Sequence, residues 1–311
     1  MDERTNRKRI NPYLQAMEEL NCQNMDLIES AEYIEGQKVL NWKKIIKNHQ
    51  VMKKLGDFFR HKKAQSVEQY AKENFDDTTW RQYLHLGDPD IKVVVYSCIT
   101  GGYDDFKEPL FKGSNTQYVM YTDKEYKCDN SEWSFSKIPE IGKFDNSYIN
   151  RYIKMHPFEL FASDYDYSIY IDGNVQAVSD LSVLPEMLQS ELGFSVHKHR
   201  YRDCIYDEEQ VCEWKGKGNI QMMKSQVKRY REEGFPAHFG LGECTVIVTD
   251  LKSSNAKMIY QKWWEEYLSS GSYRDQLCLP YVIWKLGMKM DSICTLGNNL
   301  YRNKKIRVYS H

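Results

Sequence analysis

The sequence predicts an α/β protein with a mostly parallel central sheet, preceded by an N-terminal helical extension. Three observations predict it. After the Gly87-Asp88-Pro89-Asp90 turn, β-branched runs alternate with amphipathic helical stretches; the first of those runs, Ile91 to Cys98, is too apolar for a half-exposed strand; and before the turn the pattern has helical period only.

In the extension, from Pro12 to about Leu86, apolar residues recur at three- and four-residue spacing: Leu14, Met17 and Leu20; Val39, Trp42, Ile45 and Ile46; Leu55, Phe58 and Phe59. Its basic clusters, Lys43-Lys44, Lys53-Lys54 and Arg60-His61-Lys62-Lys63, read as solvated helix faces. The division expected is a helical region over 1–88 and an α/β domain over 89–311. Beyond Cys98, strands are expected at Gln117 to Thr122, Tyr167 to Ile171, Phe194 to His197 and Thr245 to Thr249. Helices are expected at Tyr148 to Phe161, Glu208 to Glu233 with a break at Lys215 to Gly218, Ala256 to Ser269 and Asp275 to Leu286.

The chain has 311 residues and a formal net charge of -1, so no global field draws it to nucleic acid. Eight cysteines are scattered with no C-x-x-C pair and no zinc spacing, which reads as free thiols in a reducing compartment. The N-terminus is polar, no apolar h-region follows it, and no run reaches the ~18 apolar residues of a membrane span. A cytoplasmic protein, peripheral at most to the inner face of a membrane, is expected.

In a mostly parallel sheet, ligands gather at the carboxyl ends of the strands, and four polar segments fall there. Thr100-Gly101-Gly102-Tyr103-Asp104 follows the first strand: paired glycines allow close backbone approach, and Tyr103 offers a ring for stacking, although a plain tight turn has the same residues. The next strand ends in Tyr121-Thr122-Asp123, where Asp123 is placed either to accept from a nucleobase or ribose or to cap a helix. Asp172-Gly173-Asn174 ends the third strand. Its carboxylate and amide oxygens suit a hard divalent cation bridging a diphosphate; an ordinary Asp-Gly turn is the alternative. Ser272-Tyr273-Arg274-Asp275-Gln276 opens a helix, and capping explains Asp275 but not the Arg and Gln beside it. The run from His197 to Glu208 also crowds ionisable groups at a strand end, fit for a polar acceptor or a phosphate, or for a zinc site on His197 and His199.

Taken together and in order, Tyr96 to Asp104, Tyr121-Thr122-Asp123, Arg151 with Lys154 and Pro157, Tyr165 to Gln176, Lys198-His199 with Arg202, Cys204 and Tyr206 to Glu208, Gly234-Phe235-Pro236, Gly240-Leu241 with Glu243, and Arg274-Asp275-Gln276 resemble the domain of unknown function 616 family, which includes plant mucilage and pectin-related glycosyltransferases. The resemblance spans Ile91 to Leu286 and implies a GT-A (Rossmann-like) glycosyltransferase domain. By it, Asp172-Gly173-Asn174 stands at the D-x-D metal motif with Asn in place of the second acid, and His311 is a further candidate metal ligand. The implied donor site comprises Thr100, Gly101, Gly102, Tyr103, Asp123, Arg151, Lys154, Asp172 and Gly173. Arg151 and Lys154 would neutralise the diphosphate or brace Asp172. Asp275 and Gln276 would face the donor sugar, which favours retention. In an inverting version Asp275 or Glu243 would be the general base, and His199 and Arg202 would serve the acceptor.

The function expected is transfer of a hexosyl group from a UDP-sugar to a glycan hydroxyl in polysaccharide biosynthesis, with Mn²⁺ or Mg²⁺, alongside other assembly proteins. The rivals are a catalytically silent glycan- or nucleotide-binding module and a metal-dependent hydrolase using His197 and His199.

Overall fold

The computed structural model describes residues 10–47, 85–126, 130–142, 144–189 and 191–309. Within them, α1 (Pro12–Glu29) and α2 (Ala31–Lys47) precede a six-stranded sheet of β1 (Val93–Ile99), β2 (Thr116–Thr122), β3 (Trp133–Lys137), β4 (Tyr167–Ile171), β6 (Phe194–Lys198) and β7 (Gly242–Asp250). The strand order is β3-β2-β1-β4-β7-β6. β5 (Val175–Ala177) pairs antiparallel with β8 (Ile306–Val308) in a separate ribbon.

β1 is paired parallel with β2 on one side and β4 on the other, and every residue in it is buried. Alternation along the strand divides the core: Val94, Tyr96 and Cys98 face one apolar cluster with Ile153, Trp263 and Ile283, while Val93, Val95 and Ile99 face another with Leu181, Leu184 and Ile306. A strand covered on both faces must be apolar throughout, which is why this run lacks polar alternation. β2 and β3 also pair parallel, whereas β7 runs antiparallel between β4 and β6. The carboxyl ends of β1, β2, β4 and β6 and the start of β7 therefore share one edge of the sheet.

Helices α3 (Asn146–Met155) and α4 (Pro157–Phe161) fill the expected 148–161 helix, broken where His156 leaves helical geometry before Pro157. α5 (Ile205–Lys215) and α6 (Ile220–Glu232) are parted where expected, at a turn in which Gly216 takes φ 65°. α7 (Ser254–Ser270), α8 (Asp275–Lys285) and the short α9 (Met290–Ile293) are the remaining α-helices among the described residues. Three short strands, β3, β5 and β8, escaped the sequence reading: β5 and β8 have three residues each, too few to establish a period, and β3 is an edge strand with one buried residue.

The extension differs from expectation in which face it buries. α1 starts at Asn11, whose side chain accepts from the Tyr13 and Leu14 N–H groups, and it buries Leu14, Glu18, Asn21 and Met25. Leu20, expected on the apolar face, is 64% exposed. Polar partners decide the orientation: Glu18 Oε1 accepts from Lys305 Nζ at 2.7 Å and Ser179 Oγ at 2.6 Å, and Asn21 Nδ2 donates to the Lys304 and Ile306 carbonyls. Burying such groups is tolerable only when they are paired; Glu18 Oε1 and Asn21 Nδ2 each find two partners, while Glu18 Oε2 is buried without a hydrogen bond. The Leu55, Phe58 and Phe59 pattern and the Lys53-Lys54 and Arg60 to Lys63 clusters lie outside the described residues. No described helix is long and apolar enough to cross a membrane. The seven described cysteines are all free thiols.

Candidate active site

At the shared edge of the sheet opens a cleft of 1060 Å³. The turn after β1 forms one wall. Gly101 and Gly102 take φ 63° and 65°, a left-handed conformation that glycine adopts without penalty, and Gly101 N–H donates to Asp123 Oδ2 at 2.8 Å. Asp123 thus holds the loop from the end of β2, and neither it nor Gly102 is on the cleft wall; Thr100, Gly101 and Tyr103 are. Tyr103 is 74% exposed.

The floor is the end of β4. Asp172 N–H donates to the Thr245 carbonyl, and its carboxylate is 31% exposed on the cleft wall. A Cβ on Gly173 would stand 2.7 Å from Ile99 Cγ1, so this turn has room for glycine only. Asn174 Nδ2 donates to the Tyr309 carbonyl and Tyr309 N–H donates back to the Asn174 carbonyl, which ties the segment after β8 to the turn. One carboxylate and one amide oxygen form a hard-oxygen set, and it fits Mg²⁺ or Mn²⁺ of the kind that takes its remaining ligands from phosphate and water. His311 lies outside the described residues.

Beside Asp172 stands a buried ionic cluster. Lys154 reaches in from the last turn of α3, with Nζ 2.8 Å from Asp275 Oδ2 and 3.8 Å from Asp172 Oδ1, and Arg151 Nε lies 3.2 Å from the same Asp275 oxygen. Burial opposes ionisation of Asp275, but Arg151 and Lys154 outweigh it and hold the carboxyl well below the usual range. Asp275 is the first residue of α8, whose N-cap is Arg274, and its side chain pairs with the two cations. Gln276 is equally committed, with Nε2 donating to the Gly242 carbonyl and Oε1 accepting from Arg274. The helix start therefore does not present a free Asp-Gln pair to the cleft, because a carboxylate this deep in protein needs countercharge and an amide needs both partners.

The opposite wall comes from the turn after β6 and the start of α5. Arg202 makes two contacts to Glu208 Oε2, from Nε at 2.7 Å and Nη2 at 2.6 Å, and Arg274 Nη2 approaches the other Glu208 oxygen at 3.2 Å. Burial disfavours the Glu208 carboxylate, yet the surrounding cationic groups hold it well below its ordinary value. Burial also keeps His199 neutral, its pKa lowered to about 3. Its Nδ1 accepts from the Tyr201 and Arg202 N–H groups, and its Nε2 lies 3.2 Å from Arg202 Nη2 and 3.6 Å from Glu243 Oε2.

Glu243 owes its place to an irregularity. The β6–β7 pairing jumps from Val196–Ile247 to His197–Glu243, and this bulge turns the start of β7 toward the cleft, beyond the Thr245 to Thr249 strand expected. Burial first, then the charges of Glu208 and Asp172, push the Glu243 carboxyl up to about 7. It is the carboxyl in the cleft poised to exchange a proton near neutrality.

The hydrolase reading fails on geometry. His199 uses Nδ1 on backbone amides, and His197 is fully buried with Nε2 3.0 Å from Asn303 Nδ2, so the two rings do not converge on an ion. Thr100, Gly101, Tyr103, Arg151, Lys154, Asp172, Gly173, Asn174, His199, Arg202, Glu243, Asp275 and Gln276 do line one cleft. Glu208 and Arg274, which organise its far wall, were present in the quoted strings without being singled out as site residues; the signal was their charge within segments otherwise assigned to the site.

A mostly parallel α/β sheet with a polar cleft at its carboxyl edge defines a ligand-binding protein of the doubly wound kind. More specifically, the chain belongs to the TOD1/MUCI70 glycosyltransferase-like domain family, whose pattern matches residues 32–311. No curated protein matches it. Among solved structures, the apo structure of the bifunctional glycosyltransferase WbbM is similar over 71% of this chain and 46% of its own, at 12% identity and a TM-score of 0.41. The chain thus spans less than half the length of that protein.

Proposed function

We propose that this chain is a GT-A-type glycosyltransferase that moves a hexosyl group from a UDP-sugar to a hydroxyl of a glycan acceptor. The observation that carries the reading is the gathering of Asp172, Asn174, Lys154 and Glu243 in one cleft of 1060 Å³, a volume that admits a nucleotide-sugar. Asp172 and Asn174 would hold a divalent ion, which supplies charge to stabilise the departing diphosphate. Lys154 braces Asp172, and Arg151, paired with Asp275, adds positive potential on the same side. Glu243, at the start of β7, takes the proton from the acceptor hydroxyl as it attacks the anomeric carbon, with His199 Nε2 3.6 Å from that carboxylate.

Asp275 and Gln276 line the cleft while engaged by Lys154 and the Gly242 carbonyl, and Glu243 adds a second carboxyl there, so an inverting route through Glu243 stands beside the retaining one. A product of retained configuration would make Glu243 a nucleophile instead. The primary test is thermal unfolding with UDP-, GDP- and CMP-sugars, with and without Mn²⁺, followed by UDP release with candidate acceptors. Stabilisation by UDP-sugars only with Mn²⁺ is expected. Indifference to every nucleotide would overturn the assignment.

A further inference from the structure

Outside the cleft, at the start of α5, Cys204, Asp207 and His238 bring their ligand atoms within 4.8 Å of one another. None of the three lines the cleft. We propose that they form a second metal site, for a borderline-soft divalent ion of the Zn²⁺ type, which clasps the α5 start to the 234–241 turn. Thiolate, imidazole and carboxylate together are a zinc-type donor set, unlike the oxygen-only pair at Asp172 and Asn174.

A second observation bears on the imidazole. Asp203 Oδ1 lies 2.7 Å from His238 Nδ1. A carboxylate there fixes the tautomer with the proton on Nδ1 and leaves Nε2 as the coordinating atom, the arrangement in which a metal-bound histidine is ordinarily oriented. Three protein ligands leave an ion's fourth position to water, and the exposed His238 beside the half-buried Asp207 provides the route in. On binding, the Cys204 S–H bond is replaced by an S–metal bond and the proton passes to solvent.

The clasp has a consequence for the cleft. Gly240 N–H already donates to the Asp203 carbonyl and Tyr206 Oη to the Phe235 carbonyl, so the two segments are joined at their flanks. Arg202 and Glu208, which bracket the cluster in sequence, build the far wall. The ion would hold that wall, not take part in the reaction.

The test is titration of the metal-stripped full chain with Zn²⁺ against a chromophoric chelator, and separately with Co²⁺ followed by absorbance. One equivalent is expected to bind, with proton release and a thiolate-to-cobalt charge-transfer band. Cys204→Ser should abolish the band, and exposed His238→Ala should abolish tight binding with unchanged circular dichroism. Asp203→Asn should weaken binding by roughly 10- to 100-fold. Asp172→Asn should leave all of these intact. Binding that survives Cys204→Ser and His238→Ala, or is lost in Asp172→Asn, would overturn the site, as would no stoichiometric uptake. UDP-sugar binding with Mn²⁺ is read separately, so either assignment can fail without the other.

Discussion

Replacing Lys154 with Met deletes a charge from the floor of the cleft while nearly keeping its volume. The side chain is 2% exposed, and its Nζ serves two carboxylates, Asp275 at 2.8 Å and Asp172 at 3.8 Å. Removing one partner of a buried ion pair costs about 3–5 kcal/mol, because the other charge is left in protein without compensation. Arg151 Nε stays 3.2 Å from the same Asp275 oxygen, so the low end, about 3 kcal/mol, applies here. For a chain of this size that is a fall in Tm of roughly 5 °C. The assay is urea unfolding of both proteins across pH. Asp275 has its folded pKa depressed below the ordinary 3.8, so the stability it contributes is fully present above that value and is lost as pH falls through the folded one. The gap between wild type and Lys154→Met should therefore hold from neutral pH down to about pH 5 and narrow below about pH 4. A gap under about 1 kcal/mol at neutral pH, or one that does not narrow in acid, would refute the claim that Lys154 carries this charge load.

Two further perturbations probe the chemistry and the turn. Glu243, raised to about 7, acts as carboxylate, so kcat/KM should rise with pH through that value; Glu243→Gln should remove the acidic limb and lower the rate by about 10²–10⁴. An unchanged profile in the variant would assign the limb to another group. Gly173→Ala, whose Cβ meets Ile99 Cγ1 at 2.7 Å, should cost about 1–3 kcal/mol and weaken Mn²⁺-dependent nucleotide binding, measured by calorimetry. Wild-type affinity in that variant would show that the turn is not a ligand contact.

Much of the fold was legible because its signals are local. β4 occupies the Tyr167 to Ile171 run read from the sequence, and α8 begins at Asp275 as expected, since strand composition and turn residues act over a few positions. That these polar segments share one cleft was legible for the same reason: in a sheet of this kind, whatever follows the parallel strands meets at one edge. What the residues do to each other there was not.

By itself, then, the sequence determined an α/β domain with its polar segments at the carboxyl edge, because periodicity and turn chemistry are written in neighbouring residues. Only the tertiary structure decided that Asp275 is spent on Lys154, 121 positions away, and that α1 buries Glu18 against Lys305, 287 positions away, in preference to Leu20. It likewise decided that a bulge in β7, not an acid at a helix start, supplies the titratable carboxyl. Charges taken out of water must find partners, and chain proximity does not say which partner folding brings within reach.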